Sequence, residues 1–148
     1  MTSNQHANNP FIDERLEIRW IEAINGWGVF TRQHIAAGAI IEVAPVIVYP
    51  RKIATVSLWA CQAEGIPDKD LMLDQYSLEW NGNNACPLGW TGIYNHSDTP
   101  NCQFFADYQK SLLGILTLRD ISEEEQLLVS YGPTWFDSKK SYLTKYSF

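Results

Sequence analysis

At 148 residues the chain has room for one domain, whose single core would bury roughly two-thirds of the unfolded surface. A net charge of −6 argues against direct nucleic-acid binding, which rests on Lys and Arg neutralising phosphates, and suits a cationic partner better. Three cysteines without a CxxC pair make neither a structural zinc set nor a disulfide framework, and no apolar run approaches the ~20 residues that span a bilayer; a soluble chain of the cytoplasm or nucleus, neither secreted nor membrane-bound, is expected.

Residues 1–12 open on the polar, aperiodic "MTSNQHANNP" and are expected to form a flexible arm. From Leu16, "LEIRWIEAINGWGVFT" alternates with a period of two and reads as a strand, a glycine turn at 26–28 and a second strand. "AAGAIIEVAPVIVYP" adds a turn at Gly38 and a strand over 40–49, with Pro45 marking an edge or a bulge. Residues 53–63 are the helix candidate, ended by Gly65 and Pro67. "LMLDQYSLEWNGNN" reads as a strand closing on an Asn/Gly turn, and "CQFFADYQKSLLGILTLRDI" as a hairpin with "DYQKS" for its loop. Glu123 to Glu125 form a polar turn, and "QLLVSYG" is the last clear strand. The tail after Pro133 carries Trp135, Phe136, Tyr142, Tyr146 and Phe148, too much aromatic area to leave in water, so 137–148 is expected to pack on the domain. The sum is a mostly β fold of several small sheets with a short helical insert.

Three places hold residues able to do chemistry. Gly26 and Gly28 flank Trp27, so the backbone there can approach a ligand closely, although a tight hairpin turn needs the same residues. A dinucleotide-binding loop is excluded, because the third glycine position is Thr31 and the turn leads into a strand rather than a helix. The stretch "YNHSDTPNC" gathers hydrogen-bonding side chains; Asn95 has donors and acceptors enough to bridge the ammonium and carboxylate of an amino-acid ligand, and Asn95 with His96 is equally able to close a turn as a core pair. Tyr131 ends the last strand. A Cys/His hydrolase built from Cys102 and His96 is a remote third use of the same stretch.

Taken in order, "NGWGVFTRQHIAAGAIIEV", "YNHSDTPNC" and "LRDISEEEQLLVSYG" resemble the three motifs of the SET domain of protein-lysine methyltransferases, over about residues 16–136. The resemblance implies a SET-domain fold over 13–136, ending in a pseudoknot that brings residues 94–102 beside 127–131. It implies S-adenosylmethionine as cofactor, held by Trp27, Gly28, Tyr76, Asn95, His96 and Trp135, with Asn95 on the methionine end and the main chain of His96 on the adenine edge. Tyr131 becomes the catalytic residue; Tyr94, Val129 and Phe136 become walls of the lysine channel, where a small Val129 leaves room for more than one methyl. The implied partner is a lysine of a basic protein, histone-like or ribosomal, and a monomer and a homodimer both remain open. A catalytically silent SET-fold module that binds peptides or proteins is the alternative. The chain departs from the family at Glu124, where Gly is usual, at Gln126, where a second Glu is usual, and at Asp98, where Cys is frequent. With no cysteine beyond Cys102, the zinc site that many relatives carry after the last motif is not expected, and no metal is.

Overall fold

The computed structural model describes residues 9–66 and 77–131. In chain order these form β1 (Phe11–Ile12), β2 (Leu16–Ile21), a 3-10 turn (Glu22–Ile24), β3 (Gly26–Thr31), β4 (Ile40–Tyr49), α1 (Arg51–Ala63), β5 (Leu78–Trp80), β6 (Asn83–Pro87), β7 (Asn95–His96), β8 (Cys102–Asp107), β9 (Leu112–Thr117) and β10 (Gln126–Val129). The mostly β class with several small sheets and a short helix agrees with the sequence reading. Two units divide the chain, one ending at Val46 and resuming over Pro87–Ser130, the other comprising Ile47–Cys86 and the residues from Tyr131.

In the first unit, β4 pairs antiparallel with β1 and with β9, and β9 with β8. Central placement buries four successive β4 residues, Ile41 to Ala44, which is why this strand is a continuous apolar run broken only by Glu42. Its ladder to β9 slips between Ile40 and Glu42, so the irregularity expected at Pro45 sits four residues earlier; Pro45 itself pairs with Leu112. The β8–β9 hairpin matches the expectation from "DYQKS", with Asp107 Oδ1 accepting the amides of Gln109 and Lys110 across the loop.

The second sheet of this unit runs β2-β3-β10-β7. Its first hairpin does not turn at 26–28. Trp20 lies opposite Trp27 and Ile21 opposite Gly26, so both glycines belong to the strand. The turn is the 3-10 segment Glu22–Ile24 closed by Asn25 at φ 50, a left-handed conformation that asparagine tolerates better than most residues.

β10 is the strand on which the remote segments converge. It pairs antiparallel with β3 through Gln126–Phe30 and Leu127–Val29, and parallel with β7 through Leu128–Asn95 and Val129–His96. Just before it, Ile35 and Ile121, both fully buried, exchange backbone hydrogen bonds of 3.0 and 2.8 Å. Asn101 supplies the lock: its Nδ2 donates to Gln126 O at 2.9 Å, and its Oδ1 accepts Leu128 N–H at 2.7 Å. Replacing the buried Asn101 by Ala takes the partner from a part-buried carbonyl and a part-buried amide on β10, and a loss of about 1–3 kcal/mol of unfolding free energy in urea titration is expected.

In the second unit Pro50 precedes α1, which begins at Arg51, two residues ahead of the sequence reading. Its end is a Schellman motif: Ile66 N–H bonds Cys61 O, Gly65 N–H bonds Gln62 O, and Gly65 has φ 74. β5 and β6 form a hairpin whose two loop residues, Asn81 at φ 48 and Gly82 at φ 88, make the type I′ turn that Asn-Gly favours. No helix among the described residues is long and apolar enough to cross a membrane.

Candidate functional site

The site is assembled on the β3-β10-β7 part of the second sheet. β3 brings Gly28, opposite Arg19 of β2, to a crowded place: a Cβ there would stand 2.7 Å from Gln126 Oε1, 2.7 Å from Ile21 Cδ1 and 3.0 Å from Asn95 Nδ2. Only glycine lets the three side chains approach so closely. Asn95 reaches across from β7, its Nδ2 donating to Trp27 O at 3.1 Å and to Gln126 Oε1 at 2.9 Å. Both of its amide hydrogens are thus spent on fixing its orientation. The cluster of main-chain carbonyl and two neutral side-chain amides has polar capacity of both signs and no net charge.

Of the residues singled out in the sequence, Trp27, Gly28, Asn95, His96 and Val129 come together here. The Trp27 indole is 49% exposed and meets Trp20 edge-on, with ring centroids 5.5 Å apart. The His96 ring is largely buried, its Nε2 3.0 Å from Asp98 Oδ1, and its backbone faces Val129 in the parallel ladder, with Ser97 N–H donating to Val129 O at 2.9 Å. Val129 and Tyr94 are fully buried, and the Tyr94 hydroxyl donates to Glu42 Oε1 at 2.9 Å. Tyr131, half-buried, belongs to the second unit. Tyr76, Trp135 and Phe136 lie outside the described residues, as do the arm through residue 8 and the aromatic tail.

Gln126 escaped the sequence reading as a site residue, and so did the buried Glu42 as the partner of Trp90 and Tyr94. At Gln126, where the family usually has Glu, the side chain holds Asn95. The signal available was its place in the third motif. The departure at Glu124 does concern backbone: Glu124 sits at φ 67, in the left-handed region where Gly is unstrained, with its N–H on Thr31 O at 2.8 Å and its carboxylate 2.6 Å from Arg19. The loop is clamped from behind by Arg119, which donates to both oxygens of Glu125 at 2.7 and 3.2 Å and holds that carboxyl below its ordinary range.

Burial pushes the Glu42 carboxyl up to about 7, against the opposing pull of hydrogen bonds from Trp90 N–H, the Tyr94 hydroxyl and Thr91 N–H. A carboxyl that binds its proton more tightly folded than unfolded favours folding most below the unfolded value of 4.5. That contribution, on the order of 3 kcal/mol, is lost as pH rises to about 7. Glu125 works the other way, but only below 4.5. Urea midpoints are therefore expected to fall between pH 5 and pH 8 by more in the native chain than in Glu42→Gln. Burial also drives the Cys102 thiol up to about 12, which leaves no thiolate for the hydrolase reading of Cys102 and His96.

Comparison with known proteins bears on the same segments. The SET domain profile matches residues 26–132, the greater part of the chain and all three segments that meet on β10. The chain belongs to the SET-domain family. The histone-lysine N-methyltransferase of Schizosaccharomyces pombe specific for H3 lysine-37 is 30% identical over 140 residues, which are 93% of this chain and 88% of that protein. The crystal structure of a candidate histone methyltransferase of Plasmodium falciparum superposes with a TM-score of 0.60 at 26% identity, covering 84% of this chain and 99% of that one. Within the SET domain, then, the meeting of β3, β7 and β10 joins the opening motif to the central and last motifs.

Proposed function

We propose that this chain is a protein-lysine N-methyltransferase that takes its methyl group from S-adenosylmethionine. Methyltransferase activity is supported by family membership and by the Schizosaccharomyces pombe relative. The observation that carries the cofactor reading is the Gly28–Asn95–Gln126 cluster, drawn so close that position 28 has no room for a Cβ: Asn95 Oδ1 is able to accept from the ammonium of an amino acid, and Gln126 Nε2 is able to donate to its carboxylate. S-adenosylmethionine, when bound, supplies an electrophilic methyl on a sulfonium.

The residues of the chain supply the rest. Asn95 holds the methionine end, with Trp27 and Gly28 forming the wall beside it and the main chain of His96 reading the adenine edge. The family resemblance assigns Tyr76 and Trp135 to the cofactor as well; both lie outside the described residues. A lysine amine attacks only when neutral, and its ordinary pKa of about 10.4 must be lowered; an apolar channel lined by Tyr94, Val129 and Phe136 disfavours the ammonium by desolvation. Tyr131 positions the amine through its hydroxyl and points an oxygen dipole at the transferring carbon. The small Val129 leaves space for a second and a third methyl.

The substrate is a lysine in a basic tail of the histone H3 type, drawn by a chain of net charge −6 and laid along a sheet edge. On this reading residues 13–136 are the SET domain, and the protein works in the nucleus or cytoplasm. Incubation with methyl-labelled cofactor and a mixture of histones and ribosomal proteins tests it: label is expected on lysine of a basic protein, with mass increments of one to three methyls. Cofactor binding with no transfer to any of them would favour a silent peptide-binding module instead.

A further inference from the structure

One buried carboxylate has no part in the chemistry just described. Glu42 is fully enclosed on β4, yet it spends both carboxylate oxygens on the segment that leads into Asn95: Oε2 accepts Trp90 N–H at 2.7 Å, and Oε1 accepts the Tyr94 hydroxyl at 2.9 Å. Gly89, at φ +63, lets the chain pass so near that a Cβ would stand 2.8 Å from Oε2. Between these anchors the segment ties itself down. Leu88 N–H bonds Pro45 O at 3.0 Å, the Thr91 hydroxyl bonds Leu88 O at 2.7 Å, and Ile93 N–H bonds Trp90 O at 2.8 Å. Burying a carboxylate among neutral donors is costly, and leucine would fill the space without that cost; what leucine cannot do is fix the rotation of residues 90–94 with two directed bonds.

We propose that Glu42 is a positioning residue for Asn95, which through Trp90 and Tyr94 sets the angle at which Asn95 reaches Trp27 and Gln126. The inference rests on the reading of Asn95 as the cofactor's anchor. Trp90 N–H can only donate, so Oε2 must remain an acceptor in every state. A proton arriving on the carboxyl is favoured on Oε1, because the carbonyl oxygen left at Oε2 is the better acceptor for Trp90 N–H; the Tyr94 hydroxyl then turns from donor to acceptor. The groups facing the pair are the Trp90 and Thr91 amides on Glu42, and Cys102 and Asp13 beside Tyr94; none of these is a cation. Burial keeps the carboxyl near 7, so the change falls within the working range of an assay.

The test measures S-adenosylhomocysteine affinity of the full chain by calorimetry from pH 5.5 to 8.5, together with amide hydrogen exchange at Trp90, in the native protein, Glu42→Gln and Tyr94→Phe. Native affinity is expected to rise about five-fold through a midpoint near 7, as coupling between a proton and a ligand predicts. Glu42→Gln should show no such step, and Tyr94→Phe should move the midpoint upward, because the lost hydroxyl favoured the carboxylate. A native profile that coincides with that of Glu42→Gln would overturn the proposal, since a merely structural glutamate changes stability and leaves the ligand's pH dependence alone. Were no chain to bind S-adenosylhomocysteine at any pH, the cofactor reading would be at fault. Trp90 exchange would then decide the positioning role: faster in Glu42→Gln supports it, unchanged removes it.

Discussion

Replacing Tyr131 by Phe is expected to slow methyl transfer by about 10²–10³-fold while leaving S-adenosylhomocysteine affinity within about two-fold of the native value. The substitution deletes one oxygen from a half-buried side chain and keeps its ring, so packing changes little. On the proposed role of Tyr131 the loss is expected to fall on the chemical step alone. In-line displacement needs the nitrogen lone pair, the methyl carbon and the sulfur aligned within a few tenths of an ångström, and a phenol that accepts or donates one hydrogen bond to the amine is worth the entropy of that alignment. Single-turnover rates with saturating cofactor isolate the step, and calorimetry reports binding separately. A variant that transfers methyl at the native rate would hand the positioning role to another group, whereas one that loses both rate and affinity would mark Tyr131 as part of the pocket rather than the catalyst.

How much of this was legible in the sequence depends on the range of the interaction. β4 over 40–49 was readable to the residue because ten successive positions are apolar or β-branched, Glu42 apart, and no helix period competes. The Asn81-Gly82 turn was readable because its chemistry is local, whereas the strand after it, β6, was not. The β2–β3 hairpin was misplaced by a few residues for a physical reason: Trp20 and Ile21 on one side and Gly26 and Trp27 on the other continue the same alternation, so nothing apolar marks where the chain reverses. The actual turn, Glu22–Asn25, contains neither Gly nor Pro, and Asn25 alone signals it. Contacts across the fold left less trace. The motifs announced that segments 26–28, 95–101 and 126–129 belong together, through their order and spacing. That Gln126 holds Asn95 across 31 positions, or Glu42 holds Trp90 and Tyr94 across 48 and 52, has no local pattern to betray it. A lone carboxylate inside an apolar strand was the one available sign, since a charge in that position must have partners.

Alanine at Gly28 is expected to reduce S-adenosylhomocysteine affinity more than about ten-fold with a stability loss of only about 1–2 kcal/mol, and alanine at Gly26 to change neither appreciably. The two glycines stand two residues apart on one strand, and a reading of 26–28 as a turn would make both essential. Their surroundings differ. A Cβ on Gly26 meets nothing nearer than Ile24 O at 3.7 Å, ordinary contact for a strand residue. A Cβ on Gly28 intrudes on Gln126 Oε1, Ile21 Cδ1 and Asn95 Nδ2, of which the first two are ends of flexible side chains that can swing away at modest cost to the fold. Swinging Gln126 away, however, breaks its 2.9 Å bond to Asn95 and frees the amide whose orientation the proposed cofactor pocket requires. The expected signature is therefore a large loss of binding with a small loss of stability, confined to one glycine of the pair. Equal effects at the two positions would return the segment to a structural role and detach Asn95 from the cofactor; measuring both variants side by side, by calorimetry and urea titration, separates these outcomes.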